Sequence, residues 1–226
     1  MEKFRFKKMR LWAAYPLAIV YLFFAYKQGF TENNFRFGIG YILAGVMIRL
    51  WAAGYIKKIR QLTTSGPYAF VRNPLYVGNF LIGLGFCFFV RNYILWGAYC
   101  VLFFFFYLGT VKKEEALLAD LFKAEYIEYK NSVPAFIPRF KKYKEKNPLR
   151  YSLTQVVYNG EIIRVLITGI LIFILYFGYS FFQGSKSIRY LGYGFFIVII
   201  QLVLLNWAIS YRKKFLQAEN KNSGFS

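Results

Sequence analysis

Two polar stretches interrupt an otherwise strongly apolar chain, and both carry side chains able to grip a charged ligand. The first, residues 63–78, reads Thr-Thr-Ser-Gly-Pro-Tyr-Ala-Phe-Val-Arg-Asn-Pro-Leu-Tyr-Val-Gly. Arg72 stands there between two turn signals, Ser65-Gly66-Pro67-Tyr68 and Asn73-Pro74, and the proline drives Asn73 out of helical geometry before the next apolar run. The second stretch, residues 111–138, holds Glu114 and Glu115 and then Leu118, Phe122, Tyr126 and Tyr129 at helical spacing. Those four residues define an apolar stripe, and Glu115 heads it, three and seven residues before Leu118 and Phe122. A carboxylate so placed points toward the apolar side. Taken singly, each stretch also suits a blander role: a re-entry turn with Arg72 as a headgroup anchor, and a solvated amphipathic linker.

The residue inventory restricts the chemistry. The chain has no histidine, which removes the commonest general base, the usual zinc sites and any His-assisted serine or cysteine nucleophile. Cys87 and Cys100 fall within apolar runs and read as small apolar filler rather than as a disulfide or thiolate ligands. No glycine-rich phosphate loop follows a strand, because no segment reads as a strand. Metal binding is not expected. Any reaction must rest on positioning by Arg, Tyr, Asn and carboxylates.

The elements that would hold these groups are membrane spans. The chain is 58% hydrophobic and 23% aromatic, with 27 Phe and 20 Tyr, too apolar for a soluble domain of 226 residues. Apolar runs occupy Leu11 to Tyr26, Phe37 to Ile56, Leu75 to Val90, Tyr93 to Val111, Ile162 to Phe182 and Ile188 to Tyr211. Each can cross a hydrocarbon core of about 30 Å as a helix, the first and third near the short limit. The 30 Lys and Arg residues collect in alternate connections: 5 before residue 11, 4 between 57 and 72, 10 between 112 and 150, and 4 after 211. With these collars in the cytoplasm, six spans thread consistently and both termini lie inside. The expected fold is an all-α polytopic bundle of about six spans with a cytoplasmic amphipathic helix. The net charge of +20 suggests no nucleic-acid partner, since attraction to anionic headgroups accounts for it. The basic start of the chain, followed by a run without a small-residue cleavage site, reads as a retained span.

Read together, the two polar stretches carry a further signal. Gly66-Pro67-Tyr68, then Val71-Arg72-Asn73-Pro74-Leu75-Tyr76-Val77-Gly78, then Glu114-Glu115 with Leu118, Phe122, Glu125-Tyr126, Tyr129 and Val133-Pro134-Phe136-Pro138 resemble the isoprenylcysteine carboxyl methyltransferase and phospholipid methyltransferase family in order and spacing. The resemblance covers roughly residues 40 to 140. It implies an integral membrane enzyme that binds S-adenosylmethionine on the cytoplasmic side and methylates a hydrophobic or lipid-like acceptor.

Carried onto this sequence, the resemblance implies catalytic roles for Arg72 and Glu115. It implies cofactor contacts from Tyr68, Arg72, Asn73, Pro74, Tyr76, Gly78, Glu114, Glu115 and Tyr126. Either glutamate could accept from ribose hydroxyls or the amino group; Arg72 could pair with a carboxylate; the three tyrosines could face the sulfonium or the adenine. Gly78 would permit close backbone approach, and Val133 to Pro138 looks like a strap over the pocket. Alignment alone can contribute about 7 to 11 kcal/mol to such an in-line displacement, so the missing histidine is tolerable. The family's usual pattern has His where this chain has Asn73, which favours a carboxylate, phenolate or thiolate acceptor over an amine.

The chain thus divides into an N-terminal span and connection (1–36), a methyltransferase core (37–140), a basic linker (141–161) and a C-terminal pair of spans with a polar tail (162–226). The pair carries no motif; dimer contact, a lipid-access wall and a lid are all open. Arg49, inside the second run, is expected to snorkel toward the collar at Lys57. Gly38, Gly40 and Ala44 are expected at helix contacts, and Phe103 to Phe106 toward lipid. Two other functions remain. Sterol reductases share a related Arg, Pro and Tyr arrangement before a span, so an NADPH-dependent membrane reductase is one; a non-catalytic membrane scaffold is the other.

Overall fold

The computed structural model describes residues 19–27, 31–57, 61–145, 148–182 and 188–223, with side chains over the same stretches except 32, 179–195 and 218–223. Every regular element among the described residues is helical. Residues 19–27 form α1, followed by α2 (Glu32–Ala53), a 3₁₀ turn (Gly66–Ala69), α3 (Pro74–Phe89), α4 (Tyr93–Ser132), α5 (Leu153–Tyr158), α6 (Glu161–Phe182) and α7 (Ile188–Ser223). The fold is all-α, as expected.

Four helices are long and apolar enough to cross a membrane, over Asn33–Ala53, Tyr93–Ser132, Glu161–Gly178 and Phe196–Gln217. The chain is an integral membrane protein. The six expected spans are approximate: α3 is apolar but only 16 residues long, and residues 11–18 of the first run lie outside the described residues. At 1.5 Å per residue α4 is roughly 60 Å long, about twice the hydrocarbon thickness. Its second half therefore has to leave the bilayer, and the sequence turns charged from Lys112 onward. The helix breaks at Lys123 (φ 44°, ψ −120°), the one non-glycine residue with positive φ among those described. A side chain is strained there, so the break marks a short terminal piece, distinct from the membrane rod, that carries Tyr126 and Tyr129.

The contacts fall into two compact units, one from Met1–Ile48 with Tyr68–Lys144, the other from Arg49–Pro67 with Glu145–Ser226. In the first, α2 and α3 meet through glycines. A Cβ on Gly38 would lie 2.5 Å from the Gly85 carbonyl, and one on Gly45 would lie 2.6 Å from that of Gly78. Gly40 has open space around it, so of the two expected glycines only Gly38 makes a close contact, and Gly45 supplies the second. Helix α3 starts with Pro74 at a position whose missing N–H costs nothing. A two-residue turn then leads to α4, where the Asn92 side chain accepts from Leu95 N (3.0 Å). Trp96 Nε1 donates to the Cys87 and Val90 carbonyls and closes the hairpin. Along the α3–α4 seam Phe80 packs on Tyr99 and Phe103, and Tyr99 donates to the Phe80 carbonyl (3.1 Å). Phe103 is buried there while Phe105 is 71% exposed, so helical rotation splits the expected lipid-facing run.

In the second unit the expectation for Arg49 is corrected. Its guanidinium does not reach for the surface but grips Glu161 with two parallel bonds, Nε to Oε2 (2.9 Å) and Nη2 to Oε1 (2.7 Å), both residues buried. A planar fork matches a carboxylate in this way, and pairing offsets the cost of removing both charges from water. Nearby, Asn159 Nδ2 donates to the Ala53 carbonyl (2.9 Å), Ser152 N to the Gly54 carbonyl (3.0 Å), and Arg212 Nε to the Tyr158 carbonyl (3.0 Å).

Candidate functional site

The turn before α3 and the outer part of α4 meet within the first unit. Arg72 and Glu115 are 43 residues apart in sequence, yet Arg72 Nη2 lies 3.3 Å from Glu115 Oε1, both side chains nearly nine-tenths buried. The same guanidinium donates through Nη1 to the Lys130 carbonyl (3.1 Å), near the C-terminal end of α4. Asn73 Nδ2 donates to Glu115 Oε1 (3.4 Å) and to the Ala135 carbonyl (3.2 Å). Lys130 Nζ stands 3.7 Å from the other carboxylate oxygen, Oε2. One carboxylate thus gathers an arginine and an amide from the turn before α3 and a lysine from the end of α4.

Main-chain bonds hold this geometry. Arg72 N donates to the Pro134 carbonyl (2.9 Å), Arg139 N to the Phe70 carbonyl and Tyr143 N to the Ala69 carbonyl (both 3.0 Å). The stretch after α4 is therefore laced along the 69–72 turn, where the sequence places a strap. Tyr129 Oη adds a buried bond to the Tyr68 carbonyl (2.7 Å). Such satisfaction is what permits irregular backbone beside a membrane.

The stripe on α4 is real. Tyr126 and Tyr129 are buried, Glu115, Leu118 and Phe122 are half-buried, and Glu114, Leu117, Leu121, Glu125 and Glu128 are exposed. Of the paired glutamates, Glu115 enters the cluster and Glu114 faces outward. Tyr68 and Pro74 are buried beneath the turn. Tyr76 sits half-buried on the first turn of α3 with its ring edge-on to Tyr107 at 5.2 Å. Gly78 is spent on the contact with α2. Lys130 and the carbonyls of Pro134 and Ala135 are members that sequence reasoning missed. The Val-Pro dipeptide after the stripe hinted at the strap, but nothing in the sequence marked Lys130 among ten cations of that connection.

Two valences of the cluster remain open. Among the described residues Arg72 Nε is buried without a hydrogen-bond partner, and Glu115 Oε2 meets only a lysine that is half exposed. Buried polar groups are normally satisfied. An unfilled donor beside a loosely held acceptor fits a ligand that brings a carboxylate together with hydroxyl or ammonium donors.

The segment that carries Arg72, Asn73 and Glu115 lies within a match to a known family. Residues 33–125 match the family model of phospholipid methyltransferases. Over 98 residues the chain is 38% identical to the cobalt-zinc-cadmium resistance protein CzcN of Cupriavidus metallidurans, covering 42% of this chain and 45% of that protein. It is 35% identical over 103 residues to the nickel-cobalt-cadmium resistance protein NccN of Alcaligenes xylosoxydans xylosoxydans (44% and 47% covered). It is also 35% identical over 82 residues to the protein-S-isoprenylcysteine O-methyltransferase of Schizosaccharomyces pombe (36% and 35% covered). The chain thus spans less than half the length of these relatives. No solved structure matches.

Proposed function

We propose, from the premise that residues 33–125 belong to the phospholipid methyltransferase family, that this chain is an integral membrane S-adenosylmethionine-dependent methyltransferase acting on a hydrophobic or lipid-like acceptor. The observation that carries the reading is the convergence of Arg72, Asn73 and Glu115 in one buried cluster with an unfilled donor and an exchangeable acceptor. When bound, S-adenosylmethionine supplies an electrophilic methyl group, and the transfer needs no metal and no covalent enzyme intermediate. Glu115, acceptor-only when ionised, suits the hydroxyl or amino donors of that cofactor. Arg72 suits its carboxylate. Tyr68, Pro74, Tyr76, Gly78 and Tyr126 would shape the surroundings, and Glu114 would act from the outer rim.

Asn73 bears on the acceptor. Its amide already donates to Glu115 and to the Ala135 carbonyl, and an amide does not act as a general base near neutral pH. An acceptor that arrives as an anion needs no proton removed, which favours carboxylate, phenolate or thiolate over amine. A membrane-borne acceptor would reach the site from the lipid side of a bundle whose core is residues 37–140, with both termini in the cytoplasm and 162–226 as an extension.

Titration calorimetry on the full chain in lipid nanodiscs tests this reading. Saturable S-adenosylmethionine binding that is lost on Glu115→Ala is expected, together with methyl transfer to a prenylated thiol-carboxylate and not to its methyl ester. Binding of NADPH in place of S-adenosylmethionine would overturn the proposal in favour of a reductase. Equal affinity for wild type and the triple variant Arg72→Ala, Tyr76→Ala, Glu115→Ala would leave a scaffold.

A further inference from the structure

The two oxygens of Glu115 are held very differently. Oε1 is taken by Arg72 and Asn73, residues of the turn whose backbone is fixed by the Arg72 N bond to Pro134. Among the described residues Oε2 is met only by Lys130 Nζ, at 3.7 Å, beyond ordinary hydrogen-bond length. The lysine is 50% exposed, whereas the carboxylate is only 12% exposed. Its backbone does not have to move for its side chain to leave: the Lys130 carbonyl is the atom that accepts from Arg72, and the side chain is a flexible stem ending in a point charge. Lys130 is thus a removable cation on a fixed anion.

We propose that the Lys130 ammonium is a self-blocking stand-in for the α-ammonium group of the methyl donor, and that donor binding displaces it from Glu115 Oε2. The inference rests on the methyltransferase reading and selects, between ribose hydroxyl and amino group, the amino group as the partner of Glu115. Three points lead there. The blocking group and the incoming group are both primary ammonium ions, so the carboxylate exchanges like for like with no change in its charge. The donor's amino group comes with an adjacent carboxylate, and the partnerless Nε of Arg72 lies on the residue that already holds the other carboxylate oxygen. Finally, a neutral hydroxyl would leave the mostly buried carboxylate without the opposite charge that Lys130 supplies, whereas another ammonium restores it.

Lys130 is then a competitor rather than a helper, and removing it should tighten binding. A long contact to a half-exposed lysine is weak, so Lys130→Ala is expected to lower the Kd for S-adenosylhomocysteine about two- to fivefold. The chemically matched control is the analogue of S-adenosylhomocysteine that lacks the α-amino group. Calorimetry of both ligands on the full chain in nanodiscs, wild type against Lys130→Ala, reads the difference. A gain for S-adenosylhomocysteine that is absent for the deaminated analogue supports the proposal. No gain, a loss, or an equal gain for both ligands overturns it while leaving the methyltransferase reading intact. Absence of any binding to the wild-type protein overturns both. Lys130→Met, which keeps the stem without the charge, should behave as Lys130→Ala; if only the alanine variant tightens, shape rather than charge is responsible and the stand-in role is refuted.

Discussion

Two adjacent glutamates on α4 have opposite surroundings, and the contrast yields a sharp residue-level expectation. Glu115 is bonded by Arg72 and Asn73 in a setting largely removed from water, whereas Glu114 is exposed. Glu115→Gln keeps the shape and loses the charge, and a hydrogen bond to a charged group is worth about 1.5–3 kcal/mol. Donor affinity should therefore fall at least about tenfold in Glu115→Gln, by the free-energy conversion that assigns a decade to 1.4 kcal/mol, and stay within about twofold in Glu114→Gln, in keeping with the small worth of surface charges. Equilibrium dialysis with labelled S-adenosylmethionine distinguishes them. Tyr129→Phe, which removes a buried bond to the Tyr68 carbonyl, should instead lower the unfolding midpoint of the protein by an amount matching about 1 kcal/mol. That the turn bearing Arg72 and the helix bearing Glu115 come together was expected from the two motifs read jointly, but their direct ion pair was not. Nor was Lys130, since its position on the exposed side of the stripe gives it the same appearance as any solubilising lysine.

At the scale of elements, sequence pattern located the helices well and their contacts poorly. Apolar length marks a span whichever way it is rotated, but the face that meets a neighbour depends on packing that no run of residues displays by itself. Gly38, Gly40 and Ala44 looked equivalent, yet the structure puts Gly38 and Gly45, seven residues apart, against Gly85 and Gly78, also seven apart. This spacing repeats one contact along antiparallel helices. The break at Lys123 had no proline or glycine to announce it. The seam makes a testable distinction between glycines of the same helix. A Cβ on Gly45 would lie 2.6 Å from the Gly78 carbonyl and 2.8 Å from the Ile82 side chain, so Gly45→Ala has to push α2 and α3 apart. Gly40→Ala meets nothing within 4 Å and gains helix propensity of up to about 1 kcal/mol. Thermal unfolding in nanodiscs should show Gly45→Ala melting lower than wild type and Gly40→Ala at or above it. Equal midpoints would mean that the α2–α3 contact is looser than its geometry indicates. Because Gly78 lies in α3 only five residues beyond Asn73, donor affinity is expected to fall along with stability in Gly45→Ala.

At the scale of the whole molecule, the family match ends at residue 125 while the chain continues for about a hundred residues more, and Arg49 ties the matched segment to that continuation. It lies inside the match, but its partner Glu161 lies 112 residues downstream at the start of α6. The sequence could not disclose this pair: a lone arginine near a basic collar has an adequate local explanation in snorkelling, and only the fold supplies the carboxylate. The consequence is that residues 161–226 are no detachable appendage. With Glu161 gone, Arg49 would lose its two-bond grip on a buried carboxylate, and breaking a buried pair from one side costs about 3–5 kcal/mol. Glu161→Ala and Arg49→Ala should each lower stability by that order, measured as the unfolding midpoint in nanodiscs of fixed lipid composition. Arg164→Ala should cost much less, because that guanidinium is 56% exposed and water replaces its contact with Glu161. The double variant Arg49→Met, Glu161→Leu decides what the pair is for. Replacing both charges by apolar groups of similar size removes the desolvation cost along with the attraction, so the double variant should be more stable than either single alanine variant. If it also binds donor like the wild type, the pair serves folding alone. A double variant that folds well but loses donor affinity would mean that the charge pair is needed for binding as well as for folding.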